Sequence, residues 1–319
     1  MARFALRRLI GMVAVLFAVS VLTFLIFNVI PNSDPAQRIA GKAATPPLIA
    51  SINKEWGFED PLPEQYVTMM RKVFSGDLIS YFGRENVNER IVEGIPATFS
   101  LCFGAALIWM FFGILFGYLS AVRAGGLLDR ALTVVAVAGI SMPVFWLAAI
   151  FLNYLTYKNE IFPSGGYVEF TADPLQWANH LILPWITLAI LYVGFYSRVL
   201  RSNMLDAMNE DYVRTARAKG LSERRVMSRH VMRNSLTPIV TLFGLDVGAL
   251  LGGAILIEAI FSLNGIGQYA YESLINTDLP PIMAIVLFGA FFVVLFNALA
   301  DIAYAYLDPR VKLGSSADG

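Results

Sequence analysis

Six apolar runs constrain the fold of this chain more than any other feature of its sequence. Each run is long enough to cross a hydrocarbon core of about 30 Å as an α-helix. The 319 residues are 57% apolar and have a mean hydropathy of +0.61, which is too apolar for a water-soluble domain with one core. The runs cover residues 9–30, 98–122, 131–155, 181–200, 237–260 and 282–307. The sequence therefore predicts an all-α polytopic membrane protein with six transmembrane helices.

The first run also admits a second interpretation, a cleaved signal peptide, because Arg3, Arg7 and Arg8 precede it. At about twenty residues, however, it is longer than the apolar part of a typical signal peptide, and no clear small-x-small cleavage site follows it. We therefore interpret residues 1–30 as a cytoplasmic N-terminus and a retained first membrane helix.

The distribution of Lys and Arg predicts which side of the membrane each loop faces. Six crossings put both termini on one side, and the segments on that side hold sixteen Lys and Arg against eight on the other. Acidic residues show the opposite bias, seven against fourteen. Basic residues accumulate in cytoplasmic loops. We therefore expect cytoplasmic termini, an extracytoplasmic insert at 31–97, a five-helix core at 98–307 and a cytoplasmic tail at 308–319.

Residues 206–237 form a polar, Arg-rich segment between two of the runs. Four residues with helical spacing predict a short amphipathic helix with one apolar face. Glu210 stands four residues before Arg214, where an ion pair would support the same helix. The four apolar-face residues are Leu205, Met208, Tyr212 and Ala216.

Capping residues mark the end of this helix and the start of a second short one. Gly220 can adopt the left-handed conformation that ends a helix, and Arg217 and Lys219 before it suit the last helical turn. Ser222 is a candidate N-cap, followed by a carboxylate at Glu223. Such a helix pair is a surface that another protein could bind. The alternative is a loop whose basic residues only set topology and touch lipid head groups, but that loop needs no caps.

Residues 31–97 are the longest polar stretch. Turn signals occur at Pro46–Pro47 and at Gly76–Asp77, and residues 65–74 have a helical pattern. Six aromatic residues are more than a disordered segment of this length usually contains. These aromatic residues are Trp56, Phe58, Tyr66, Phe74, Tyr81 and Phe82. We therefore expect an ordered insert.

Three carboxylates lie within or at the ends of apolar runs, at Asp246, Glu258 and Asp301. An ionisable group at membrane depth is costly and usually faces a cavity or a partner. Asp246 is deepest in its run and is the strongest candidate for a translocation path. Glu258 lies near the outer end, where lipid head groups would solvate it, and Asp301 lies near the inner end, where Arg310 could pair with it.

Three prolines lie in or beside the runs. Neighbouring helices in a membrane bundle can satisfy a carbonyl that a proline kink releases. We interpret Pro143 as a kink within residues 131–155, and as a further candidate on the path. Pro184 and Pro238 fit the first turn of their helices better.

The sequence lacks the motifs of catalysis and cofactor binding that we looked for. No G-x-x-x-x-G-K-[ST] loop is present to cradle a phosphate, so we do not expect this chain to hydrolyse ATP. The two histidines, His180 and His230, are far apart, and no His or Cys cluster suits a metal. There is no G-x-S-x-G elbow. We expect a non-catalytic chain without a cofactor or metal of its own.

Residues 212–221, YVRTARAKGL, resemble the EAA loop of binding-protein-dependent ABC importer permeases. Arg214-Thr215-Ala216 stands where that family has Glu-Ala-Ala, Gly220 keeps its spacing, and the downstream proline is displaced to Pro238. These departures are typical of the dipeptide, oligopeptide and nickel permease branch, which this chain resembles almost from end to end. The other matching motifs are DPLPEQY at 60–66, PAT at 96–98, SMPVFW at 141–146, PSGGY at 163–167 and LDPR at 307–310.

The resemblance implies a type I ABC importer permease fold in a bacterial or archaeal plasma membrane. The partners that it implies are a homologous second permease, two ABC ATPases that bind ATP and Mg, and an extracytoplasmic substrate-binding protein, with no nucleic acid. Asp246, Glu258 and Pro143 are then candidates for the translocation path, and the 31–97 insert is expected to contact the binding protein or the entering substrate. Coupling to an ATPase is expected of Asp211, Tyr212, Arg214, Thr215, Ala216, Arg217, Lys219, Gly220, Leu221 and Ser222.

Alternatives remain for the substrate and for the class of protein. Peptide and nickel permeases share these motifs, so we expect di- or oligopeptides with nickel as the alternative. A secondary transporter would need ion-coupling carboxylates near the membrane centre and usually inverted repeats. Asp246 is the one fair candidate for such a carboxylate, and no repeat is visible. A membrane enzyme would need a convergent polar constellation, which the sequence does not contain.

Overall fold

The computed structural model of this protein describes residues 2–29, 34–41, 44–251 and 254–307. This part of the chain is helical, with a single isolated β-bridge between Ile79 and Asn86. The predicted all-α fold class is therefore confirmed. The described helices are α1 (Ala2–Phe24, continued by a π-helical turn at Leu25–Val29), α2 (Pro35–Ala40), α3 (Pro46–Trp56), α4 (Leu62–Ser75), α5 (Val87–Val122), α6 (Leu127–Ser141), α7 (Val144–Phe151, continued by a π-helical segment at Leu152–Lys158), α8 (Pro174–Ala207), α9 (Asp211–Ala218), α10 (Glu223–Arg225, continued by a π-helical segment at Val226–Val231), α11 (Met232–Leu251), α12 (Ile255–Ile260), α13 (Ile266–Asn276) and α14 (Leu279–Leu307).

The chain divides into two compact units whose boundaries fall within long helices. The first is built from Met1–Ser100, Gly165–Asp173 and Gly248–Ala298, and the second from Leu101–Ser164, Pro174–Val247 and the segment from Leu299 onward. The long helices α5, α11 and α14 therefore each contribute residues to both units.

The predicted insert is ordered and supplies much of the core of the first unit. Its helical pattern at 65–74 lies within α4, as expected. The prediction of a turn at Pro46–Pro47 is wrong, because the pair occupies the first turn of α3, where no N–H has an intrahelical acceptor. The core residues share burial of at least nine-tenths of their surface and include Phe24, Ile39, Ile52, Trp56, Met69, Leu78, Val87, Ile266, Tyr269 and Met283.

Four helices in the described part are long and apolar enough to cross a membrane, at Leu9–Val29, Val87–Val122, Pro174–Ala207 and Leu279–Leu299. A fifth span is present if the bent pair Leu127–Ser141 and Val144–Tyr157 counts as one. The predicted count of six is therefore not confirmed. The run at 237–260 differs because its helix α11 begins in the polar sequence at Met232 and ends at Leu251, before a separate short helix, α12.

The prolines interrupt the helices differently from the prediction. Pro143 stands at a 98° bend between α6 and α7, where it caps α7 and holds Met142 before it in an extended conformation. The run at 131–155 is thus two helices rather than one kinked helix. Pro184 and Pro238 lie inside α8 and α11, so the prediction that they occupy first turns is wrong. Both helices begin earlier than the apolar runs because polar residues upstream continue the helix.

Close helix packing characterises the second unit. A Cβ added at Gly117 of α5 would lie 2.8 Å from the carbonyl oxygen of Ser197 in α8. One added at Gly194 of α8 would lie 2.5 Å from the carbonyl oxygen of Ala136 in α6. Because only glycine permits these approaches, α5 and α6 both pack directly on the backbone of α8.

Candidate functional site

The predicted coupling segment contains a helix, α9, that begins after a tight turn at residues 208–210. Each residue of this turn donates a backbone hydrogen bond to α8, at 3.0–3.2 Å. The turn breaks the predicted apolar face, since Leu205 and Met208 precede α9 rather than belonging to it. The buried residues of α9 are Val213 and Ala216, whereas Tyr212 is 40% exposed. The prediction of one apolar face from Leu205 to Ala216 is therefore wrong, because the turn separates α8 from α9 and interrupts the helical spacing.

The C-terminus of α9 has the glycine cap that the sequence predicts. Gly220 adopts the left-handed conformation with φ of 77°. Its N–H donates to the carbonyl of Arg217 at 2.9 Å, and the N–H of Leu221 donates to the carbonyl of Ala216 at 3.3 Å. These two bonds define a Schellman motif, which ends the helix and reverses the chain.

The second helix of the segment begins where predicted, with Ser222 as N-cap and Glu223 in the first turn. The Ser222 side chain itself makes no capping hydrogen bond. The prediction that this helix is short is wrong, because α10 continues through its π-helical segment directly into α11. Helix α9 packs against that segment, in which Val226 and Val231 are fully buried.

Arg217 connects the two sides of the corner. Its guanidinium donates two hydrogen bonds to the Glu223 carboxylate, Nε to Oε2 at 3.1 Å and Nη2 to Oε1 at 2.6 Å. The guanidinium lowers the pKa of Glu223 below its usual value. Arg214 pairs with Asp211 at 3.5 Å rather than with Glu210 as predicted. Arg217 thus bridges the turn between the helices in addition to carrying charge, whereas the Arg214 pair lies within α9.

The ten predicted coupling residues are brought together around this corner. Ala216 is buried and Leu221 is partly buried. The other eight are exposed: Asp211, Tyr212, Arg214, Thr215, Arg217, Lys219, Gly220 and Ser222. We call this surface, with its buried support at Val213 and Val226, the coupling corner. It presents polar side chains on a helix pair whose inner side is packed.

Asp246, the strongest candidate for the path, is partly buried and accepts a hydrogen bond of 2.6 Å from the hydroxyl of Tyr196. Tyr196 is fully buried in an aromatic cluster with Trp109, Tyr192 and Phe243. The rings of Trp109 and Tyr192 stack with centroids 4.6 Å apart. The sequence did not reveal Tyr196, because its partner lies 50 residues away on another helix.

Glu258 is fully buried, which contradicts the expectation that head groups solvate it. Its carboxylate accepts hydrogen bonds from the Thr98 hydroxyl at 2.8 Å and from the backbone N–H of Gly267 and Gln268 at 2.8 and 3.2 Å. Thr98 in turn accepts from the N–H of Ile266 at 2.9 Å. This carboxylate replaces solvent by protein donors, as a buried charge requires.

The remaining path candidates are placed as follows. Pro143 is exposed at the bend before α7 and belongs to the second unit with Asp246, whereas Glu258 belongs to the first. The side chain of Asp301 and all of Arg310 lie outside the described residues.

Sequence reasoning missed an ion pair between the buried Asp129 of α6 and the partly exposed Arg201 of α8. The pair is bidentate, with Nε to Oδ1 at 2.7 Å and Nη2 to Oδ2 at 2.8 Å. In the sequence both residues are only charges of the predicted cytoplasmic segments. An acidic residue in the first turn after Gly125-Gly126 was the available signal, but nothing local indicates its partner.

Comparisons with known proteins agree with this architecture. Residues 113–313 match the family described as binding-protein-dependent transport system inner membrane component, and residues 1–102 match the N-terminal family of such components. A peptide transport system permease protein of Brucella abortus is 37% identical over 98% of this chain and 99% of its own length. The oligopeptide transport system permease protein AppB of Bacillus subtilis is 33% identical over 98% and 100%.

The fold is also similar to a solved structure. A chain of the MetNI methionine ABC transporter, in inward-facing conformations, superposes with a TM-score of 0.53 at 17% identity, over 68% of this chain and 96% of that one. The type I importer permease fold is thereby confirmed. Because family matches cover both the insert and the helical core, this chain belongs to the family of binding-protein-dependent transport system inner membrane components, which are multi-pass membrane permeases.

Proposed function

We propose that this chain forms half of a translocation path for di- or oligopeptides and couples it to ATP hydrolysis by separate subunits. The observation that carries the proposal is the end-to-end similarity to permeases named for peptide transport, at 33–37% identity. The partners would be a homologous second permease, two ABC ATPases and an extracytoplasmic binding protein. Both termini would lie in the cytoplasm, on the same side as the coupling corner.

The geometry of the coupling corner supports the coupling part of the proposal. A transmission element must resist deformation while it presents groups to its partner. Here Val213 and Val226 bury the inner side, the Schellman motif fixes the chain reversal, and Arg217 bridges to Glu223. The exposed polar side would bind a groove of an ATPase, so that closure of the ATPases moves α8 and α11.

Asp246 is our candidate for substrate contact on the path. The hydroxyl of Tyr196 holds one carboxylate oxygen, and part of the residue stays exposed. A partly exposed carboxylate suits an ammonium group through its charge. We propose that Asp246 faces the cavity between the two permeases and receives the amino end of a peptide or another cation.

The function is tested by transport in vesicles. The complex is purified through a tag on this chain, reconstituted with its ATPases and binding protein, and supplied with a labelled dipeptide, a labelled pentapeptide or Ni²⁺. We expect uptake of one peptide, dependent on ATP and on the binding protein. Uptake of Ni²⁺ without peptide uptake would refute the substrate class.

The same vesicles separate the other classes of transporter. A secondary transporter would accumulate substrate under an ion gradient without ATP, and this result would refute the coupling proposal. ATPase inactivated at its catalytic glutamate is the matched control, since it binds the permease but does not turn over.

A further inference from the structure

The Asp129 carboxylate has four hydrogen-bond donors and is 3% exposed. Arg201 supplies two of them, at 2.7 and 2.8 Å. The N–H of Gly125 donates to Oδ2 at 2.7 Å, and the Ser120 hydroxyl donates to Oδ1. These donors come from three places in the second unit: the end of α5, the turn between α5 and α6, and α8.

The donors around Asp129 match both the negative charge and the planar shape of a carboxylate. The planar guanidinium matches both carboxylate oxygens at once, which a lysine ammonium cannot do. An asparagine in place of Asp129 would turn an amide N–H₂ toward donors, so at least one of the four would lose its acceptor. Removing Arg201 would leave the buried Asp129 carboxylate without its charged partner. The arrangement therefore tolerates few substitutions.

The position of this pair links the coupling corner to α5 and α6. Arg201 lies on α8 ten residues before Asp211, and the turn at 208–210 connects α8 to α9 without a flexible segment. One turn of helix before Arg201, the backbone at Ser197 contacts Gly117 of α5. A displacement of α9 can therefore reach α8 through this turn, and the ion pair joins α8 to α6 next to the α5–α6 turn.

We propose that Asp129 and Arg201 form a positioning clamp that carries the movement of the coupling corner into α5 and α6. The inference rests on the proposed function of the corner and deepens it. Neither residue contacts substrate or nucleotide in this scheme; both act by holding three helices as one body during the transport cycle. If this connection were weakened, the ATPases would close without a matching movement of α5 and α6.

A clamp differs from a merely structural ion pair in one measurable quantity, the number of peptides imported per ATP hydrolysed. A structural role lowers the yield of complex, but the complexes that form keep the wild-type ratio. We expect Asp129→Asn and Arg201→Lys to lower this ratio by about tenfold, within the range typical of coupling between sites. Ser120→Ala removes one of four donors and should lower the ratio less.

Arg198→Lys is the matched control, because Arg198 is exposed on the same helix and takes no part in the clamp. Its ratio should equal that of the wild type. Each variant complex is purified with its ATPases, and equal ATPase content is required before ratios are compared. If Asp129→Asn fails to assemble, Arg201→Lys, which keeps the charge, provides the measurement.

The outcomes separate this inference from the proposed function. If wild-type vesicles import no peptide with ATP, the proposed function fails. If they do, and Asp129→Asn and Arg201→Lys complexes keep the wild-type ratio, the clamp is refuted while the function stands. A lowered ratio with normal ATPase content supports the clamp.

Discussion

Substitution of Gly220 tests the coupling corner most directly. A Cβ at this position meets no atom within 4 Å, so the effect of Gly220→Val comes from the backbone alone. An L-residue in the left-handed conformation costs about 1–2 kcal/mol, and more when it is β-branched. If the chain instead leaves φ of 77°, it loses the two hydrogen bonds of the Schellman motif, at about 1 kcal/mol each. Either response costs about 2 kcal/mol.

A free-energy cost of about 2 kcal/mol lowers the population of the native corner about 30-fold relative to any competing arrangement. The corner would then yield when an ATPase closes, instead of moving α8. We expect Gly220→Val to insert normally and to hydrolyse ATP without proportionate import. Gly220→Asn is the matched control, because asparagine tolerates the left-handed region and the site has room for it.

The assay measures peptide uptake and substrate-stimulated ATPase activity on the same vesicles. We expect the number of peptides imported per ATP to be highest with Gly220 and to fall in the order Gly220→Asn, Gly220→Ala, Gly220→Val. Wild-type uptake together with wild-type ATPase stimulation in Gly220→Val would refute the assignment of this corner to coupling. Loss of both activities with loss of ATPase from the complex would place the residue in binding rather than in transmission.

Four further predictions concern the coupling corner, Asp246 and the insert. Arg217→Glu should release the ATPase during purification in moderate salt. Glu223→Gln removes the ion pair but keeps the arginine, so this variant should retain most of the ATPase, because an exposed pair contributes less than about 1 kcal/mol. Since Arg217 lowers the pKa of Glu223, the pair stabilises the corner at neutral pH and loses this contribution as pH falls through the lowered pKa of Glu223, which thermal unfolding against pH would show. Asp246→Asn should lose uptake of peptides with a free amino end; uptake equal to wild type from neutral to mildly acidic pH, with Asp246→Leu inactive, would assign it a structural hydrogen bond instead. Phe82→Ser, at a side chain that is 50% exposed on the insert, should reduce uptake while pairing of the permeases survives, and unchanged uptake would count against an insert that binds the binding protein.

Local signals in the sequence predicted the corner well. The signals from Arg217 to Glu223 lie within seven residues of chain, and the structure places a left-handed cap and a new helix there. The prediction of the apolar stripe failed because the hydrogen-bonded turn at 208–210 leaves no mark in the hydrophobic periodicity of the sequence.

Two features that the sequence did not predict depend on contacts between distant segments. Glu258 was expected to be solvated because its position near the end of a run is all that the sequence provides, whereas its burial depends on Thr98, 160 residues away. Likewise Asp129 and Arg201 are 72 residues apart, so each is an ordinary loop charge until α6 packs on α8. Pro143 itself predicts a kink, but the size of the bend cannot be predicted from the sequence, because the apolar run continues on both sides of the proline.

The Glu258 network has a consequence for the order in which the protein assembles. Its two backbone donors, Gly267 and Gln268, follow it by nine and ten residues, so they become available as soon as this part of the chain is synthesised. Thr98 precedes Glu258 by 160 residues and is therefore synthesised earlier. Helices α12 and α13 can therefore fold together locally around Glu258 and then pack on α5. The Thr98 hydroxyl completes the hydrogen-bond network of the Glu258 carboxylate at that step. Thr98→Val leaves the local part intact, so newly made chains should insert at the normal rate but acquire protease resistance in the first unit more slowly.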